Sequence, residues 1–284
     1  MGGFLASKSI RASWLVLCLL AVVSSKVAAD EHPLVVGVLP TLSPRVLLGN
    51  YQPFRIYLEQ ALKQPVEMVT AKNFTVFHQN TMAGHYDMVV TAAHLARLAQ
   101  VEGRFVPLAT YQSTNRALLM TSKAAPLKSI AQLRGQTVAT LDRYALIASQ
   151  TVLWLEGKQL QLGKDYRLLE TSSHNSAAYS VLSGESALAI VAPAGLKQMP
   201  RNIQQGLQTF ASLPPLPAVM WLANPRISSE VPRLKAVLLA FSPQLPEGKQ
   251  FFDKTGYQNM REITEEEMES LDLHLPYLKQ HLGQ

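Results

Sequence analysis

One cysteine, Cys18, stands among the 284 residues, in an apolar run near the N-terminus. Past that run there is no thiol, which excludes a disulfide framework, a cysteine-ligated zinc site and a thiolate nucleophile. Stability must come from hydrophobic cores, and the roughly 255 residues beyond the run suffice for one or two. Charge is scarce too, at 16% Asp, Glu, Lys and Arg together. The 26 basic and 20 acidic residues give a formal +6, but Lys8, Arg11 and Lys26 precede Asp30, and without them the balance is 23 to 20. No stretch interleaves clustered Lys and Arg with aromatics, so no nucleic-acid partner is expected.

Catalytic signatures are missing as well. There is no His-Glu-x-x-His and no glycine-rich phosphate loop ending in Lys-Ser or Lys-Thr. Gly184-Glu-Ser186-Ala-Leu188 begins like a nucleophile elbow but lacks the closing glycine, so Ser186 reads as part of a turn before a strand. His78, His85 and His94 place no two rings at i, i+4 on one helix face. Asn73-Phe-Thr75 fits a glycosylation tripeptide, which recurs often by chance. The expectation is no enzyme, no cofactor and no metal.

What is present begins with a leader. Lys8 and Arg11 give a positive start, and Trp14–Val23 is an apolar run too short to span a bilayer comfortably. Val27-Ala28-Ala29 offers small residues just before Asp30. This pattern predicts a signal peptide over 1–29, cleaved near Ala29, and a periplasmic mature protein.

Strand and helix signals then alternate. Leu34-Val-Val-Gly-Val-Leu-Pro40 reads as a buried strand ending in a turn, with further strands at Val66–Thr70, Tyr86–Thr91, Phe105–Thr110, Ala117–Thr121, Thr137–Leu141, Arg167–Glu170, Ala187–Ala192 and Val219–Ala223. Helical spacing runs from Pro53, over Ala92–Gln100, Ala145–Leu160 and Asn175–Leu182, and over Glu265–Leu282 at the end. The alternation predicts an α/β chain whose sheets are largely parallel and flanked by helices. Pro214-Pro-Leu-Pro217 cannot lie in a helix or a central strand. Crossings near Thr110–Ser113 and Leu213–Pro217 predict an inserted lobe over 113–214 and a discontinuous lobe built from 30–112 and 215–284. A cleft between them would gather strand C-termini and helix N-termini. Tyr51, Thr91, His94, Tyr144, Ala145, His174 and Asn175 fall at such ends and are the candidate ligand contacts. Unpaired N–H groups there suit a polar or anionic group, although residues of these types also simply cap helices.

The mature chain resembles the phosphate/phosphite/phosphonate-binding family of periplasmic solute-binding proteins that serve ABC transporters. The resemblance runs over 34–275. It is carried by Val36-Gly-Val-Leu-Pro40, Tyr51-Gln-Pro-Phe54 leading into Tyr57-Leu58, Val69-Thr-Ala71, Tyr86-Asp-Met88, Leu133-Arg-Gly-Gln-Thr-Val138, Ser173-His-Asn175, Val181-Leu-Ser-Gly184, Pro214-Pro-Leu-Pro217 and Pro246-Glu-Gly-Lys249. It implies a two-lobed binding protein of type II-like topology, a small-molecule ligand in the cleft, a monomer, and a permease as membrane partner. A periplasmic sensor feeding a histidine kinase would share the fold. The chain departs from the family at Ala145-Leu-Ile-Ala148, where typical members present hydroxyls, and at Thr91 and Ala187, where an aromatic and an acidic residue are usual. The resemblance therefore implies weakened binding of phosphate and simple phosphonates. N-terminal sequencing of exported protein is expected to return Asp30 as the first residue; an intact leader would contradict the cleavage.

Overall fold

A computed structural model describes residues 32–282, so the leader and Cys18 lie outside the described residues. Strand β1 (Leu34–Val38) buries four of its five residues, as a strand covered on both faces requires. Helix α1 spans Pro44–Leu62 and so starts before Pro53, where the sequence reading placed it. Pro44 suits the first turn, where its missing N–H costs nothing. Pro53 sits inside the helix, opposite the Gly49 carbonyl that loses its donor, and the buried Tyr51, Phe54, Leu58 and Leu62 hold the helix through it. Next come β2 (Val66–Val69), α2 (Phe74–Met82), β3 (Met88–Ala92), α3 (Ala93–Gly103) and β4 (Val106–Tyr111).

The chain then passes through a two-residue strand, β5 (Thr114–Asn115), into β6 (Leu118–Ser122) and β7 (Gln136–Thr140). It continues through α4 (Leu146–Glu156), β8 (Tyr166–Glu170), α5 (His174–Leu182), β9 (Leu188–Val191), α6 (Pro193–Gln198), α7 (Arg201–Gly206) and β10 (Leu207–Ser212). It returns through β11 (Leu216–Pro217) to β12 (Val219–Ala223), α8 (Val231–Ala240), α9 (Pro246–Thr255), β13 (Met260–Arg261), α10 (Glu265–Glu269) and α11 (Leu275–Leu282). The single terminal helix expected over Glu265–Leu282 is thus broken into α10, a 3-10 turn at Asp272–His274, and α11. Pro276, unable to donate in a helix interior, stands in the first turn of α11.

Two sheets result, and they share no strand. The first has the order β13-β4-β12-β3-β1-β2 and the second β10-β6-β9-β7-β8. In the first, β1 runs parallel to β2 and β3, while β12 runs antiparallel between β3 and β4. In the second, β7 is parallel to β8 and β9, and β6 is antiparallel to β9 and β10. Each sheet is therefore a parallel centre with antiparallel strands beside it, rather than largely parallel as expected. Where the chain passes between the sheets, β5 and β11 pair antiparallel as a separate ribbon, Leu216 opposite Asn115 and Pro217 opposite Thr114.

Each sheet is covered on both faces. An aromatic core under α1, α8 and α9 stacks Phe54 on Trp221 at 4.7 Å between ring centroids and sets it edge-on to Phe241 at 4.2 Å. The other face of the first sheet carries α2, α3 and the C-terminal segment, and its apolar cluster continues into α4 through Leu146 and Val152. The second sheet is covered by α4 on one face and α5 on the other. Phe54 is wholly buried, so Phe54→Ala is expected to cost about 3–5 kcal/mol in urea unfolding. A loss near zero would contradict the packing.

Candidate functional site

Strand C-termini and helix N-termini of both sheets meet around a cavity of about 520 Å3. From the first sheet come Pro40 and Thr41 after β1, Ser43 before α1, and Lys72, Asn73 and Phe74 at the start of α2. From the second come Asp142 after β7, Ser172–Asn175 at the start of α5, and Gly195 and Gln198 of α6. A neighbouring cavity of about 380 Å3 shares Thr41, Leu42 and Gln198 and adds Tyr51, Lys254 and Tyr257.

Three of these helices end at the cavity for local reasons. Asn73 caps α2, its side chain accepting from the Val76 N–H at 2.9 Å, and Ser173 caps α5, accepting from the Ser176 N–H at 3.1 Å. Ser43 precedes α1 with no such side-chain bond. The Asn73 and Ser173 caps each satisfy one N–H and leave those of the first two helical residues without an intrahelical partner, while in α1, whose first residue Pro44 has no N–H, Arg45 and Val46 are the residues left so. The positive ends of three helix dipoles and the Lys72 ammonium therefore face one small volume.

Opposed to this is the Asp142 carboxyl. Burial holds it above the ordinary carboxylate range, with Glu170 adding to the rise and the Tyr144 N–H opposing it. His174 is pushed below the usual imidazole value by burial, and its Nδ1 is buried without a hydrogen-bond partner. Its ring lies over Gly195, where an added Cβ would run into it.

The seven sequence candidates separate into groups. His174 and Asn175 line the larger cavity and Tyr51 the smaller. Tyr51 is only 4% exposed, edge-on to Phe251 at 5.2 Å, and burial together with Tyr111 and Tyr257 raises its phenol well above the ordinary value. Thr91 is buried in β3 opposite Met220. His94, Tyr144 and Ala145 meet one another where the lobes touch. His94 Nε2 lies 3.0 Å from the Tyr144 carbonyl oxygen, so that nitrogen carries the proton. The Tyr144 hydroxyl donates to the His281 carbonyl at 2.8 Å, and Ala145 packs beside Leu146 in the first lobe's cluster. Sequence reasoning missed Thr41, Ser43, Lys72, Asn73 and Asp142. The rule that selected His174 applies to all of them, since each follows a strand or precedes a helix.

A larger groove of about 970 Å3 lies between the second lobe and α11. Two of its cations are already neutralised, Arg134 by Asp165 and Arg143 by Glu170. Among the described residues, no group of three or more His, Cys, Asp and Glu could hold a metal ion, and no helix is long and apolar enough to cross a membrane.

Residues 36–268 match the family of periplasmic substrate-binding proteins of ABC phosphonate transporters. The chain belongs to this family. Solved structures share its fold at low identity. A Xanthomonas citri protein bound to chloride ion is 16% identical with a TM-score of 0.78, over 87% of this chain and 99% of that one. PhnD1 from Prochlorococcus marinus, in complex with methylphosphonate, is 14% identical with a TM-score of 0.75, over 88% and 100%. A binding protein component of an ABC phosphonate transporter from Pseudomonas aeruginosa is 15% identical with a TM-score of 0.74, over 89% and 88%.

Within the family fold, the Ala145–Ala148 segment is turned into a lobe contact. Gly195→Ala is expected to displace the His174 ring, moving its NMR resonances, and to cost about 1–3 kcal/mol. Unmoved resonances at full stability would contradict the seating of that ring.

Proposed function

We propose that this periplasmic binding protein captures a small solute in the 520 Å3 cavity between its lobes, without chemistry, and presents it to the permease of an ABC transporter. The lobes are residues 30–112 with 215–284, and 113–214, and the β5–β11 ribbon is the hinge. The division is supported by sheet membership, since strands 34–111 and 219–261 form one sheet and strands 118–212 the other.

The observation that carries the reading is the convergence of α1, α2 and α5 N-termini beside Lys72. An anionic group entering the cavity loses water, and open N–H groups with a nearby ammonium replace it. Asp142 sets the second requirement. A carboxylate in the same cavity repels a bare oxyanion but accepts from an ammonium or hydroxyl group. The solute is therefore one that pairs an anionic group with a donor. Thr41, Ser43, His174 and Asn175 supply the remaining polar contacts. Tyr51 bounds the site from the smaller cavity, and Thr91, His94, Tyr144 and Ala145 line neither cavity.

Isothermal titration tests this with methylphosphonate and 2-aminoethylphosphonate as probes. Methylphosphonate and phosphate are expected to bind with Kd above about 100 μM, near −5.5 kcal/mol, because they bring no ammonium to Asp142, only at best a P–OH on the anionic group itself, and meet no hydroxyls at Ala145–Ala148. The amino compound is expected to bind at least about tenfold tighter, and Asp142→Asn should remove most of the difference. Equal affinities for the two probes, or micromolar binding of methylphosphonate, would overturn the assignment of Asp142.

A further inference from the structure

Solute affinity in a two-lobed protein depends on how much of the population already has the closed arrangement. In this chain the lobes are joined by contacts that require no solute. Segment 143–149 of the second lobe is bonded on four sides. His94 Nε2 of α3 donates to the Tyr144 carbonyl at 3.0 Å. From the C-terminal segment, the Tyr277 hydroxyl donates to the Arg143 carbonyl at 2.9 Å, and His274 Nδ1 lies 2.8 Å from Ser149 Oγ. The Tyr144 hydroxyl returns a bond to the His281 carbonyl. Leu146, 4% exposed, is buried in the same apolar cluster as Ala93, Leu271 and Leu278. The C-terminal segment is itself tied to α3, where Arg97 Nε donates to Asp272 at 2.6 Å.

We propose that His94 and the segment 272–282 form a built-in clasp, gripping 143–149 so that the lobes are held closed before any solute arrives. The clasp deepens the reading of interlobe capture and rests on it. Its residues are positioning residues, since they set affinity through the lobe equilibrium without touching the solute. The apolar Leu146 is then explained, because a residue buried between lobes has no use for a hydroxyl.

The clasp is sensitive to acid. The rings of His94 and His274 lie edge to face at 5.7 Å. Burial holds His94 down to about 3, with His274 and His78 adding, and His274 to about 4. Opened lobes expose both rings to water, where a histidine titrates near ~6.5. The clasped form binds fewer protons, so its stability is complete above about pH 6.5 and is lost as pH falls toward 4. At about pH 5 each ring favours the open form about 30-fold. The charged neighbours are already engaged: Arg97 with Asp272 and Glu265, Arg143 with Glu170, and Lys279 with Glu102. Asp142 accepts from the Tyr144 N–H, and His78 and His281 are themselves held low by burial.

Fluorescent labels on cysteines introduced at Lys158 and Asp253, one on each lobe, report lobe separation without solute. The wild type is expected to be closed at about pH 7.5 and to open by about pH 5, with far-ultraviolet circular dichroism unchanged. Ser149→Ala should raise the open fraction about 5–10-fold at about pH 7.5. The double variant H94Q/H274N keeps a donor at the Nε2 position and a polar atom at the Nδ1 position but cannot titrate, so it should stay closed at both values. Should that variant not fold, Leu146→Ala must open the lobes at about pH 7.5. A wild-type separation that ignores pH, a double variant with the wild-type response, or a Leu146→Ala protein as closed as the wild type would overturn the clasp. Because no solute is used, such a failure leaves interlobe capture standing, while closed lobes that bind no solute would count against capture alone.

Discussion

Two sheets that share no strand need contacts other than shared backbone pairing to hold them together, and one such contact is the burial of Leu146 in the same apolar cluster as Ala93, Leu271 and Leu278. A side chain of this size loses about 1.5–3 kcal/mol if left exposed, and four hydrogen bonds surround it. The same contact fixes where α4 begins, and β7 and α4 between them fix Asp142. The cavity lies on the other side of that residue. On the proposed reading, substitutions at 145–148 would bear on solute choice through that contact, without touching solute.

Polarity in the cavity follows from the backbone more than from side chains. Three helices start there, two of them capped by the Asn73 and Ser173 side chains and α1 opened by Pro44, and open N–H groups at helix starts suit anions of many kinds. Discrimination then falls to a few charged groups. Lys72 strengthens the pull on an anion, Asp142 demands a donor, and neutral His174 takes whichever role its buried Nδ1 leaves to it. The proposed site would select by charge arrangement within the solute, not by total charge.

Much of this was legible in the sequence. Apolar runs such as Leu34–Val38 and Leu188–Val191 announced buried strands, and the prolines of 214–217 marked a passage between sheets. His174 and Asn175 could be placed at a helix start beside the cavity they line, because strand ends and helix starts are recognisable locally. Other features depend on contacts across long sequence separations, which no local pattern encodes. Pro53 looked like a helix start, because the buried face that carries α1 through it is made by residues near 221–251. Tyr51 looked available for stacking, but Phe251 and Trp221 take its ring. His94 and Tyr144 looked like ligand contacts, and they bond each other across 50 residues. The short pairings β5–β11 and β13–β4 carry too few residues to show a period.

In the proposed mode of capture, solute sits on the starts of α2 and α5, away from the start of α4. Hydrogen exchange with and without 2-aminoethylphosphonate tests it most directly. Added protection is expected at amides 73–77 and 173–177 together, with little change at 146–149, which are already buried. Protection centred on 145–149, with none at the other two helix starts, would contradict it.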